Sequence, residues 1–272
     1  MLFDRLALRR RAWRISTAAA AALFFKAVCA NSGQFDIQPV SIDFSRSGDV
    51  TLLALRNLGA RTMRLQVEAY AWEQNPDGTL KLSDTDDILY FPQMFELRSG
   101  ATQNVRVGTT AAPGAVEKTY RIFIEELPEA ADSVPLQASS RSVSLRVAPR
   151  VGVPVFVRPV KAVEQLTIDN IAITGGLVGF ELRNTGTVHL IPTKIRVDGR
   201  TASGATAFGQ ELTGWYILAG GVRQYRLPIP RSDCASLSEI TIRVVTADGR
   251  DYEGQAPVAP GACVLGAGTD AR

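Results

Sequence analysis

The chain carries a single histidine, His189. One imidazole leaves little room for a Ser-His-acid triad and none for a His-rich metal site. Its neighbours Val188, Leu190 and Ile191 are apolar, the usual setting of a structural histidine. No glycine-rich segment follows a strand pattern and opens a helix, so no phosphate-cradling loop is indicated. No amphipathic helix of useful length can be traced. The acids of Ser83-Asp84-Thr85-Asp86-Asp87 are clustered. They lack the spaced ligands and turn glycine of a dedicated calcium loop, and they read as a solvated turn. Nothing in the residues argues for catalysis, and no metal, cofactor or small-molecule substrate is expected.

Long apolar runs are also missing. Residues 15–28 form the longest one, broken by Ser16, Thr17 and Lys26 and preceded by Arg9, Arg10, Arg11 and Arg14. It is short for a membrane span. With Val28-Cys29-Ala30 behind it, it reads as a secretory signal cleaved after Ala30, the alternative being an uncleaved anchor. Residues 1–30 hold six of the 30 Lys/Arg and one of the 27 acids, leaving 24 basic and 26 acidic residues, a net charge near −2. The alkaline balance therefore belongs to the signal, and no nucleic-acid partner is expected. Beyond it only Cys234 and Cys263 remain. In an oxidising compartment a disulfide between them is the natural reading, two separate thiols the alternative.

What the chain has is alternation. Candidate strands run over residues 35–44, 49–57, 61–72, 103–108 and 119–127, with an irregular apolar stretch at 88–95. Seven more follow over 161–173, 178–184, 189–198, 205–215, 222–227, 238–247 and 252–260. Turn signals such as Asn57-Leu58-Gly59, Asn75-Pro76-Asp77-Gly78, Asp198-Gly199 and Asp248-Gly249 separate them. Two runs of about seven short strands predict an all-β chain of two β-sandwiches. The expected domains are 1–30 (signal), 31–158 and 159–272.

The stretch 141–158 stands apart. Val143, Leu145, Val147, Pro149, Val151, Val153, Val155 and Val157 are all apolar, while the even positions hold Ser144, Arg146, Ala148, Arg150, Gly152, Pro154, Phe156 and Arg158. That is a strand period sustained far beyond the usual five or six residues. Prolines cannot donate to a sheet ladder, which assigns the stretch to a sheet edge. Long apolar edges invite a second chain. The plainer reading is a core strand crossing from one domain to the next.

These residues resemble a family, the PapD-like periplasmic chaperones of the chaperone–usher pilus pathway. The carriers are Val50-Thr51-Leu52 through Leu55-Arg56-Asn57, Phe91-Pro92-Gln93-Met94-Phe95, and Leu97-Arg98-Ser99-Gly100 through Val105-Arg106-Val107. Two more are Tyr120-Arg121-Ile122-Phe123-Ile124-Glu125-Glu126-Leu127-Pro128 and Val153-Pro154-Val155-Phe156-Val157-Arg158-Pro159. Trp72, Thr85-Asp86-Asp87-Ile88-Leu89, Tyr120-Arg121 and Pro154 are similar to the archaic branch, which serves spore-coat-U-like pilins.

The resemblance implies two immunoglobulin-like sandwiches in a boomerang arrangement. It implies a periplasmic, non-enzymatic chaperone that donates its long strand to pilin subunits and passes them to an outer-membrane usher. The subunit-binding residues would be Val143, Leu145, Val147, Val151 and Val153. Self-association through the same edge is a further expectation. The better-known branch anchors the subunit's terminal carboxylate with an arginine and a lysine, at positions that look like Ser41 and Pro154 here. Either the anchor is lost or another cation replaces it, and Arg121 and Arg150 are the nearest candidates. Glu126, Arg158 and Asp248 match the family's interdomain salt bridge. The competing reading is an exported pilin-like or adhesive surface protein of two sandwiches.

Overall fold

The computed structural model describes residues 35–127 and 148–263. The expected signal, and Val143, Leu145 and Val147, lie outside the described residues. The described chain is almost entirely β, with one four-residue helix, α1 (Arg231–Cys234).

The first half packs two sheets face to face. One has the order β1 (Phe35–Gln38), β3 (Val50–Asn57), β8 (Thr102–Thr109), β6 (Ile88–Phe91). The other runs β2 (Ile42–Phe44), β10 (Arg150–Val157), β9 (Lys118–Glu126), β4 (Met63–Gln74), β5 (Leu80–Asp84), with β7 (Met94–Leu97) also on β4. Alternate residues supply the core between them. Met63, Leu65, Val67 and Ala69 of β4 and Tyr120, Ile122 and Ile124 of β9 face Leu53, Leu55, Val105 and Val107. Period-two burial of this kind is what a half-buried strand requires.

Two stretches differ from their sequence pattern for one reason. Residues 35–44 read as one strand, and 88–95 as irregular. Each is a pair of short strands belonging to different sheets. β1 pairs with β3 and β2 with β10. Likewise β6 pairs with β8 and β7 with β4. Pro39 and Pro92 stand at the two crossings, where a residue without an N–H interrupts a ladder at no cost in lost bonds.

The long stretch needs a similar correction. Its described part, residues 148–158, contains β10, which is not an edge strand throughout. All eight of its residues pair antiparallel with β9, and Val155–Val157 also pair parallel with β2. Among the described residues, no second strand pairs with 150–154. Pro154 is the last of these, just before the β2 ladder begins.

The second half repeats the plan. Its sheets are β11 (Leu166–Thr174), β12 (Leu177–Asn184), β15 (Val222–Pro228), and β14 (Thr206–Leu212), β13 (Pro192–Thr201), β16 (Leu237–Thr246), β17 (Asp251–Pro257). Val178, Phe180 and Leu182 pack against Ile195, Val197, Ile240, Ile242 and Val244. Cys234 of α1 and Cys263, beyond β17, form a disulfide with a Cα–Cα distance of 5.7 Å. It ties the chain after the last strand to the core.

Candidate functional site

The outer face of the β10–β9–β4 sheet carries the site. Tyr120 and Ile122 point inward to the core, so Arg121 between them must point out. Register places Arg121 beside Pro154 on one side and Tyr70 on the other. Ile42 pairs with Val155, which brings Ser41 to the level of Pro154. Arg121 therefore stands one strand away from Pro154 and two from the level of Ser41, the two positions at which the resemblance expects cations.

Its surroundings are aromatic. The guanidinium carbon lies 4.6 Å from the Trp72 ring centre and 4.8 Å from that of Trp215. Trp72 comes from β4, whereas Trp215 comes from the segment between β14 and β15. Arg121 is only 8% exposed, its Nε has no hydrogen-bond partner, and no described carboxylate forms an ion pair with it. Burial pulls the guanidinium below its ordinary pKa, opposed weakly by Tyr216. An arginine stays protonated all the same. The result is a buried positive charge held by rings, without a counter-ion among the described residues. Gly152 makes room for it: a Cβ there would lie 3.0 Å from Phe123 and 3.5 Å from Arg121 Nε.

Arg150, the other candidate cation, is already occupied. It lies 3.3 Å from Glu125, 3.8 Å from Glu68, and stacks 4.2 Å over Phe123. Two carboxylates satisfy it, so it does not stand free for a third. Of the apolar candidates, Val151 is 40% exposed but Val153 is 2% exposed and part of the home core. Val153 is thus withdrawn from any partner's groove. Pairing with β2 begins just beyond it, and the core side is already filled.

The expected junction triad does not assemble either. Glu126 pairs with Arg61, and Arg158 with Asp43 at 3.2 Å. Asp248 pairs with Arg250 at 3.0 Å, and Arg250 reaches Glu164 at 2.9 Å. Register supplies the reason. Val157 lies opposite Lys118, at one end of β9, and Glu126 lies at the other. Eight residues at about 3.3 Å each put Glu126 about 26 Å along the strand from the level of Val157, and Arg158 lies one residue further still.

What joins the two halves there is a pair that sequence reasoning missed. The buried Glu117 carboxylate accepts the His189 backbone N–H at 2.9 Å, and its Oε2 lies 2.8 Å from the ring Nδ1. The His189 ring stacks on Phe156 at 3.8 Å. Phe156 and Trp72 then pack with Leu218 and Tyr216 in a cluster of their own. The apolar neighbours of His189 marked it as structural, but its partner lies too far away in sequence to be named from the chain alone. The acidic turn is structural too, as Asp87 accepts the Tyr120 hydroxyl at 2.5 Å.

Residues 34–162 match the family model described as pili and flagellar-assembly chaperone, PapD N-terminal domain. The fold is similar to that of the class 5 fimbriae chaperone CfaA, with a TM-score of 0.51 at 17% identity, covering 84% of this chain and 100% of that one. It is similar to a structure of the CsuC–CsuE chaperone–tip adhesion subunit pre-assembly complex, from archaic chaperone–usher Csu pili of Acinetobacter baumannii. That TM-score is 0.52 at 17% identity, over 83% of this chain and 98% of the other. The E. coli chaperone DraB gives 0.51 at 15% identity, over 84% and 98%. No curated protein sequence matches the chain. At these identities the structural likeness speaks for the shared two-sandwich fold.

Proposed function

With residues 34–162 belonging to the PapD N-terminal domain family of pili and flagellar-assembly chaperones, we propose that the chain captures incomplete pilus subunits and holds them by donating strand β10 with the residues before it. Arg121 carries this reading. It is a buried cation with no counter-ion among the described residues, beside the unpaired half of β10. A terminal carboxylate suits its fork of donors. Main-chain bonds to the open side of residues 150–154 would extend the sheet, and alternate apolar side chains would fill the subunit's groove. At about 25 cal/mol per Å², each such valine contributes about 1–2 kcal/mol before ordering costs. No bond is made or broken.

The subunit class is spore-coat-U-like, captured in the periplasm, and the acceptor is an outer-membrane usher. The archaic complex among the structural neighbours supports this choice of branch. The donor residues are Val143, Leu145, Val147 and Val151, with Val153 left to the home core. The test is a contrast between two variants produced with their subunit in the periplasm. Leu145→Asp should keep its melting temperature yet lose bound subunit, because an unpaired charge in an apolar groove costs several kcal/mol. Ser144→Asp, on the other face, should retain it. Equal retention by both would sink the donated-strand reading.

A further inference from the structure

We infer that Trp215 is a positioning residue for Arg121, so that the anion site is built jointly by both halves of the chain and not by the first alone. The inference rests on the reading of Arg121 as a carboxylate anchor. A long, flexible side chain with no carboxylate partner among the described residues needs something else to hold it. Trp72 and Trp215 do so from two directions, at 4.6 and 4.8 Å, with their own ring centres 6.0 Å apart. Ring faces attract a cation through their quadrupole and leave its charge intact. A carboxylate in the same place would neutralise it and compete with the ligand.

Trp215 is fixed from behind. The next two residues lead into a bridge in which Ile217 and Leu190 exchange backbone hydrogen bonds at 2.8 and 2.9 Å. The Asn184 side-chain amide donates to the Ile217 carbonyl at 2.9 Å. On the other side Gly214 donates to the Pro192 carbonyl at 3.1 Å, and a Cβ at 214 would sit 2.7 Å from Pro192 Cβ. The backbone on both sides of Trp215 is therefore pinned to β13 and β12, while its side chain remains 37% exposed over Arg121. This placement holds the guanidinium at the sheet face, with no acceptor for its donors among the described residues.

The probes are N-acetyl-glycyl-valine with a free carboxylate and the same dipeptide as its C-terminal amide, at millimolar concentration, followed by tryptophan fluorescence and calorimetry. Trp72 and Trp215 both flank Arg121. Any contribution of Trp13 cancels in difference spectra between variants. The full chain should prefer acid over amide at least tenfold, and Arg121→Gln should abolish the preference. Trp215→Ala should cut the acid-to-amide ratio severalfold with its melting temperature kept, and Trp215→Phe should restore it. If Trp215→Ala keeps the full ratio, or the parent shows no acid preference while still retaining periplasmic pilin, the composite site is wrong and the chaperone reading stands. If the parent retains no pilin at all, the chaperone reading itself fails.

Discussion

Val151 and Val153 sit two residues apart on one strand face, yet they have different duties. Val153 fills the home core and Val151 leaves it. Val153→Asp should therefore cost about 4 kcal/mol or more and unfold the first sandwich, because an unpaired charge enters a packed interior. Val151→Asp should shift the melting temperature little. Comparable melts for both would contradict the assignment. Alternation alone shows that the two share a face, but not where the core ends, since that depends on the opposing sheet. Arg121 shows the same division. Its outward direction was legible from Tyr120 and Ile122, whereas its roof, Trp215, comes from the far half of the chain. Tyrosines supply a pH dependence. Burial, then the Asp87 carboxylate, raise the Tyr120 pKa, and burial raises those of Tyr216 and Tyr225. The folded chain holds these protons more tightly than the unfolded one. Their contribution is complete below the unfolded tyrosine value of about 10 and is lost as pH rises through the raised folded values. Melting temperature should fall from about pH 8 to about pH 11, and less steeply in Tyr120→Phe. A parent protein whose melting is flat over that range would refute this.

Among the elements, β4 was the most legible. Met63, Leu65, Val67 and Ala69 all face inward as their spacing requires. The strands that change sheet at Pro39 and Pro92 were not, because proline marks a turn and a crossing alike. β10 was legible as a strand but not as a shared one, since its pairing with β2 depends on a three-residue element with almost no pattern of its own. The disulfide was legible by count, since Cys234 and Cys263 are the only cysteines after residue 30. Its closure at a sequence separation of 29 contributes about 3–4 kcal/mol in the chain-entropy model. Replacing both cysteines by serine should lower denaturant stability by that order, and reductant should have no further effect on the double variant. A double variant as stable as the oxidised parent would place the stabilisation elsewhere.

On the scale of the whole molecule, the two halves meet through contacts that no local pattern predicts. Phe156, Trp72, Leu218 and Tyr216 supply the apolar part. Glu117 and His189 supply the polar part. Three backbone bonds add to it, from Glu117 to the Thr187 carbonyl, from Gln224 to the Pro76 carbonyl and from Val160 to the Gly114 carbonyl, all within 3.0 Å. The family-based triad failed because a matching residue type does not carry its register with it. Glu126 is bound to Arg61 at the far end of β9. The two assignments make opposite predictions for two carboxylates. The Glu117 side chain is 2% exposed, and removing it leaves a half-buried backbone N–H and a ring nitrogen of His189 unpaired, at up to about 1–3 kcal/mol for each such group. Asp248 sits in a partly exposed cluster with Arg250 and Glu164, where an ion pair contributes only about 0–1 kcal/mol. Glu117→Ala should therefore split calorimetric unfolding into two transitions and speed proteolysis between residues 158 and 165. Asp248→Ala should leave one transition and the parent's cleavage rate. If Asp248→Ala separates the halves and Glu117→Ala does not, the junction is held by the charged cluster after all, and the Glu117–His189 pair is incidental to it.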